Sequence, residues 1–147
     1  MLKVLVLYYS RTGNTEKMAQ AVVEGARSSG KVYVELSYYV EPEDLVQFDA
    51  VIVGTPTYNH AVPADITKIF EDAAFKGLIL RGKTGAAFGS YGWSGEAPKN
   101  VLEIMKNKFD MNVVEPALIA NYVPDQAKLA ASRDLGKRVS ESLIQPA

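Results

Sequence analysis

The residues with the clearest chemical potential are 9–15, a run of short hydroxyl and amide side chains that directly follows the apolar stretch 2–8. Gly13 can adopt backbone conformations closed to other residues, while Ser10, Thr12, Asn14 and Thr15 are hydrogen-bond donors. The helix predicted to begin here adds unpaired N–H groups and the positive end of its dipole. We therefore predict a turn between a strand and a helix that binds a phosphate group.

The residue types also restrict the kind of phosphate ligand. A nucleotide-hydrolysing P-loop carries Gly-Lys-Ser/Thr at the helix start, whereas this chain has Gly13-Asn14-Thr15. A cysteine-dependent phosphatase is excluded because the chain has no Cys, and a dinucleotide fingerprint requires three spaced glycines. A monophosphate held as an anchor fits best. The same seven residues are also compatible with a polar loop that merely caps a helix.

Composition limits the possible classes of protein. The 147 residues are 48% hydrophobic, which predicts one globular domain over residues 1–147. The net charge of −1 does not favour nucleic acid or an anionic membrane as a partner, and a single His without Cys does not favour a metal site. No apolar run is long enough to span a membrane, and the first strand starts at residue 2, so we expect a cytoplasmic protein.

Strand and helix patterns alternate along the whole chain. Candidate strands cover residues 2–8, 31–37, 50–54, 84–88 and 113–120. Candidate helices begin near residues 14, 63, 98 and 125. This alternation predicts an α/β fold, a doubly wound parallel sheet of five strands with helices on both faces.

Proline 116 interrupts the fifth strand pattern and indicates the position of that strand in the sheet. Because proline cannot donate a ladder hydrogen bond, the strand is expected at an edge, which fits the order 2-1-3-4-5. In that order the winding reverses between strands 1 and 3, and a ligand crevice opens at the carboxyl ends of the strands. The predicted phosphate loop and the loops after strands 3 and 4 meet there.

Those two further loops, residues 54–63 and 89–96, contain aromatic residues where solvent-exposed loops are usually polar. Tyr58, Tyr91 and Trp93 would form a flat slot for a planar heterocycle, and the glycines would let the backbone approach the ring edges. Aromatic residues that simply cap the end of the sheet are the alternative interpretation.

Residues 9–15 resemble the FMN phosphate loop of flavodoxins, and residues 54–59 and 85–96 are similar to the flavodoxin-like domain of flavodiiron proteins. The fifth strand lacks a long insertion, as in the short-chain flavodoxins. This resemblance implies that FMN is the cofactor. The residues that it places around the phosphate are Ser10, Arg11, Thr12, Gly13, Asn14 and Thr15. Those that it places around the isoalloxazine are Thr55, Pro56, Thr57, Tyr58, Asn59, His60, Ser90, Tyr91, Gly92, Trp93 and Gly95.

The resemblance also implies a flavodoxin-like electron-transfer protein that docks redox partner proteins at the flavin edge. The sequence offers no nucleophile or general-base constellation, so we assign no catalytic residues and no metal ligands. An FMN-dependent NAD(P)H or quinone oxidoreductase is the enzyme alternative. A redox-sensing or ligand-binding module is the third possibility.

Overall fold

The computed structural model describes residues 1–58 and 60–144, which form a parallel sheet covered by helices on both faces. The strands are β1 (Leu2–Tyr8), β2 (Val32–Ser37), β3 (Ala50–Gly54), β4 (Thr84–Tyr91), β5 (Asn112–Val113) and β6 (Leu118–Asn121). Their order is β2-β1-β3-β4-β5, with β6 also paired to β4, and every pairing is parallel. The predicted order 2-1-3-4-5 and the predicted fold class are confirmed.

The predicted fifth strand is present as two short segments along the same neighbour. β5 pairs with the start of β4 through Thr84 and Asn112, and β6 pairs with its end through Phe88 and Leu118. Pro116 lies between the two segments, and it has no N–H group to donate to β4. The sheet therefore contains six strand segments in five positions.

Four helices fill the connections. They are α1 (Asn14–Arg27), α2 (Ala64–Phe75), α3 (Glu96–Glu103) and α4 (Gln126–Ile144). A 3₁₀ turn at Pro42–Gln47 precedes β3, and α3 continues into a π-helical turn at Ile104–Lys108. α3 begins before Pro98 rather than after it, because proline is tolerated in the first turn of a helix. Within the described residues, no helix has both the length and the apolar character required to cross a membrane.

Two apolar cores lie on opposite faces of the sheet. Alternate residues of β1 point to opposite faces, so Leu5 and Leu7 pack with α2 and α3, while Val4 and Val6 pack with α1 and α4. These four side chains are fully buried. β1 reads as a continuous apolar run because both of its faces are covered.

Close packing of α1 against α4 fixes the position of α1. A Cβ atom on Gly25 would overlap the backbone oxygen of Arg133, and one on Gly136 would overlap the backbone oxygen of Val22. The Ser140 hydroxyl also donates a buried hydrogen bond of 2.8 Å to the Ala26 carbonyl. α1 is therefore held firmly along its length, and its N-terminus is presented at the carboxyl edge of the sheet.

Candidate functional site

A cleft of about 480 Å³ opens at the carboxyl edge of the sheet, where the loops after β1, β3 and β4 meet. Its lining residues are Arg11, Thr12, Asn14, Pro56, Thr57, Tyr58, Ser90, Tyr91, Gly92, Trp93 and Tyr122. All of these except Tyr122 were predicted as cofactor contacts from the sequence. The three predicted loops therefore border one cavity.

The end of the cleft nearest α1 is formed by the predicted phosphate loop. Gly13 is the N-terminal cap of α1 and has a φ of +89°. The Gly13 N–H group donates to the Ser10 hydroxyl at 3.0 Å, and the Gly13 carbonyl accepts from the Lys17 N–H group at 3.1 Å. The first N–H groups of α1 have no acceptor within the helix. The loop thus offers backbone donors and a positive helix end to an anion.

Two buried hydroxyl groups connect the phosphate loop to β4. Thr15 Oγ1 lies 3.1 Å from Ser90 Oγ and accepts a hydrogen bond of 3.2 Å from the Ser90 N–H group. Both residues are at least 95% buried. The two residues predicted to contact the cofactor therefore also hold the two loops in register, although they are 75 positions apart in the chain.

Another buried hydroxyl group connects the loop after β3 to α3. Thr57 Oγ1 accepts a hydrogen bond of 2.9 Å from the Ala97 N–H group, in the first turn of α3. Thr57 also forms a parallel bridge with Tyr91 at the end of β4. Beside it, the fully buried Thr55 donates its hydroxyl hydrogen to the Pro56 carbonyl at 2.9 Å. The loops on the two sides of the cleft are thereby joined.

We expect Thr57→Val to destabilise the fold by about 1–3 kcal/mol, because the Ala97 N–H group would be buried without an acceptor. Thr57→Ser loses the methyl group but keeps the hydroxyl, so it serves as the control in which the hydrogen bond is retained. Urea unfolding of the three proteins measures the difference. Equal losses for the valine and serine variants would show that this hydrogen bond does not contribute to stability.

The cleft also has aromatic walls. The Tyr58 ring stands edge-on to the Tyr9 ring at a centroid distance of 6.4 Å, and the Arg11 guanidinium lies 5.2 Å from the Tyr58 ring centre. Burial raises the pKa of the Tyr58 hydroxyl, with the Arg11 charge acting in the opposite direction, so this ring is neutral at pH 7. Trp93 is 87% exposed at the mouth of the cleft. The three aromatic residues predicted to form a slot therefore border the same space.

Tyr122 was not predicted as a site residue. It follows β6 with a φ of +54° and is 64% exposed beside Gly92. Its position in the sequence could have indicated this role, because an aromatic residue just after the last predicted strand lies at the carboxyl edge of the sheet. The predicted site comprised only the loops after strands 1, 3 and 4.

Six predicted contacts do not line the cleft directly. They are Ser10, Gly13, Thr15, Thr55, His60 and Gly95. Asn59, predicted beside the isoalloxazine, lies outside the described residues. His60 is exposed, with its imidazole 5.4 Å from the Trp93 indole, and its Nδ1 contacts Ser94 and Glu96. The Ser94 hydroxyl, together with His60, lowers the pKa of the Glu96 carboxyl below its usual value.

This arrangement fits an elongated ligand that has an anion at one end and a flat ring at the other. A cofactor-sized cavity has a volume of roughly 300–1,000 Å³, and the cleft lies within that range. The phosphate of FMN would be held by the loop around Gly13, and its ring would lie between the aromatic walls. The donor set, the aromatic lining and the size of the cleft therefore all fit FMN.

Comparisons with known proteins agree with this description of a doubly wound α/β protein that has a phosphate loop and an aromatic slot. A family model described as flavodoxin matches residues 6–136. The type A flavoprotein fprA of Rhodobacter capsulatus is 36% identical, over 95% of this chain and 33% of that protein. A flavodoxin of Aquifex aeolicus is 34% identical, over 96% of this chain and 86% of that protein. The structure of a flavodoxin from the domain Archaea has a TM-score of 0.88 and 35% identity, over 98% of this chain and all of that one.

The chain belongs to the flavodoxin family. It binds FMN, as the resemblance of its three loops implied. It spans about one third of the length of the type A flavoprotein and most of the length of the Aquifex flavodoxin.

Proposed function

We propose that the protein is an electron carrier without substrate turnover of its own, and that redox partner proteins dock where the cleft opens to solvent. The observation that carries the proposal is the composition of the cleft. Among its described lining residues there is no carboxylate and no imidazole, and Arg11 is the one charged side chain. General acid–base catalysis most often uses a His, Asp or Glu side chain within hydrogen-bond reach of the substrate.

FMN supplies the redox chemistry when it is bound, and the chain supplies binding, orientation and exclusion of water. The loop around Gly13 anchors the phosphate through backbone N–H groups. Tyr58 and Trp93 form the walls for the ring. The fully buried Thr55 and the nearly buried Thr57 close the cleft towards the core. The proposal includes the assignment of residues 1–147 to one FMN-binding domain and a cytoplasmic location.

The docking surface in this proposal is the exposed rim formed by Trp93, Tyr122 and Val123. The last of these is 61% exposed and follows Tyr122 directly. Large apolar side chains are costly to leave in water, and aromatic residues are enriched at protein interfaces. The net charge of −1 gives little long-range electrostatic steering, so association with a partner should depend only modestly on ionic strength.

Anaerobic turnover assays test the carrier role. We expect the FMN-loaded protein to be reduced stoichiometrically by dithionite and reoxidised by cytochrome c, without sustained NADH or NADPH consumption when menadione is present. Sustained consumption would assign the protein to the FMN-dependent NAD(P)H or quinone oxidoreductases. Failure of the purified chain to take up FMN would instead favour a ligand-binding module of another kind.

The docking surface is tested by Val123→Ser, which makes the rim more polar without altering a residue that lines the cleft. We expect electron transfer to cytochrome c to slow by roughly threefold to tenfold. This is the effect of truncating an interface residue that contributes about 1 kcal/mol to the binding free energy. Ile79→Ser is the matched control, because Ile79 is 73% exposed and does not border the cleft. Equal rates for the two variants in stopped-flow experiments would place docking elsewhere.

A further inference from the structure

A cluster of three polar side chains joins the loops on the two sides of the cleft. His60 Nδ1 lies 3.0 Å from Ser94 Oγ and 3.3 Å from Glu96 Oε1, and the Ser94 hydroxyl donates to Glu96 Oε2 at 2.8 Å. His60 belongs to the loop after β3, whereas Ser94 and Glu96 belong to the loop after β4 and the start of α3. The cluster is therefore a connection between loops that are 34 and 36 positions apart in the chain.

The hydrogen atoms in the cluster can be assigned from the donors and acceptors present. The Glu96 carboxylate only accepts, and the single hydroxyl hydrogen of Ser94 is directed to it. The contact between Ser94 Oγ and His60 Nδ1 consequently requires a hydrogen on Nδ1. His60 therefore shares its single Nδ1 hydrogen between both acceptors in a three-centre hydrogen bond, whether its ring is neutral or protonated.

The backbone and the neighbouring aromatic ring connect His60 to the mouth of the cleft. His60 has a φ of +63°, a conformation that costs free energy in a residue other than glycine and persists when surrounding contacts maintain it. Its imidazole lies 5.4 Å from the Trp93 indole at an interplanar angle of 55°. Trp93 directly precedes Ser94, so the hydrogen bonds from His60 restrain the segment that positions the indole.

We propose that His60 is a positioning residue for the FMN site. Its Nδ1 bonds to Ser94 and Glu96 form a latch that holds Trp93 at the mouth of the cleft, and this latch becomes stronger when the imidazole is protonated. A protonated ring adds charge attraction to Glu96, and charge-assisted hydrogen bonds are roughly twice as strong as neutral ones. Trp93 should therefore form a better-ordered wall for the flavin ring when His60 is protonated.

The charged and titratable groups named around His60 are a carboxylate, a phenol and a guanidinium. Glu96 at the start of α3 is the carboxylate that it contacts, and burial raises the pKa of Tyr58, two residues earlier. The Arg11 guanidinium is directed over the Tyr58 ring. The sequence contains one histidine, which is the side-chain type whose charge ordinarily changes between pH 5 and 8.

The test compares FMN dissociation constants of the full chain and its variants between pH 6 and pH 8.5. The dissociation constant of each variant is divided by that of the wild type at the same pH, and this ratio cancels the titration of the FMN phosphate itself. His60→Asn is the main variant, because Asn tolerates positive φ but is too short to maintain the ring contact. We expect a ratio of up to about fivefold at pH 6, because the ion pair is exposed, and a smaller ratio at pH 8.5, where only the neutral hydrogen bonds are lost.

Glu96→Gln separates charge from hydrogen bonding. The amide oxygen can still accept from Ser94, so we expect near wild-type affinity at pH 8.5 and a loss of affinity that appears only as the pH falls. Arg138→Gln breaks an exposed ion pair with Asp134 on α4 and should leave the ratio at one throughout. A ratio for His60→Asn that does not vary with pH would overturn the latch, as would wild-type behaviour of Glu96→Gln. Neither result depends on the carrier role, because only FMN affinity is measured.

Discussion

Gly13→Val is expected to weaken FMN binding by about tenfold to a hundredfold. Gly13 has a φ of +89° at the N-terminus of α1, and positive φ costs a β-branched residue roughly 1–3 kcal/mol. No atom lies within 4 Å of the position that a Cβ would occupy, so the cost arises from backbone strain rather than crowding. Relief of that strain would rotate the peptide groups that present their N–H donors to the phosphate.

Titration with FMN and with riboflavin measures this effect, because only FMN carries the phosphate. Riboflavin affinity should change little. Gly77→Val is the matched control, since Gly77 has a φ of +67° and equally open surroundings but lies after α2 and not in the phosphate loop. Gly13→Asn should retain more affinity than the valine variant because Asn tolerates positive φ. A loss of riboflavin affinity as large as the loss of FMN affinity would contradict the assignment of the phosphate loop.

We expect Arg11→Ala to cost less FMN affinity than Gly13→Val. The Arg11 guanidinium lies over the Tyr58 ring, so the structure shows it packed on an aromatic wall beside the phosphate loop.

Most of the fold could be predicted because its signals are local. Continuous apolar runs indicated strands that are covered on both faces, and the helical spacing between them indicated the crossovers. The break between β5 and β6 was not predicted, although Pro116 was recognised as a residue of an edge strand. Apolar residues lie on both sides of Glu115 and Pro116, and only the pairing with β4 shows that the ladder stops and resumes there.

The candidate site was predicted to the extent that it consists of loops at one edge of the sheet. Loop composition and the predicted strand order placed Tyr58, Tyr91 and Trp93 in a slot beside the phosphate loop. The buried bond between Thr15 and Ser90 and the one between Thr57 and Ala97 were not predicted. Such contacts depend on where side chains from distant segments meet in the packed structure, and a single sequence contains no local pattern for that meeting.

Gly89 illustrates the same point, because nothing in its local sequence explains why glycine stands there. It lies in β4, directly before Ser90, and a Cβ at this position would overlap the backbone carbonyl of Thr55 and approach Pro98 Cγ to 3.1 Å. Thr55 is fully buried, and its N–H group donates to the Phe88 carbonyl at 2.9 Å. The carbonyl of Thr55 therefore cannot move away without disrupting the join between β3 and β4.

Gly89→Ala should accordingly destabilise the protein by about 2–3 kcal/mol, at the upper end of the usual cost of overpacking a core. It should also weaken FMN binding, because a displaced Thr55 would shift Pro56 and Thr57, which line the cleft. Urea unfolding and FMN titration provide the two measurements. The effect on stability should remain when the unfolding experiment is performed without FMN.

Gly92→Ala is the matched control in the same segment. A Cβ on Gly92 would approach the Tyr122 ring to 3.3 Å, but that ring is 64% exposed and can rotate outward. We therefore expect Gly92→Ala to unfold at a urea concentration close to that of the wild type. Because Gly92 lines the cleft, this variant is the control for stability and not for FMN affinity. Equal stability of the two alanine variants would mean that the Thr55 carbonyl moves aside at little cost. In that case β3 and β4 would not form the rigid floor of the FMN cleft that this packing implies.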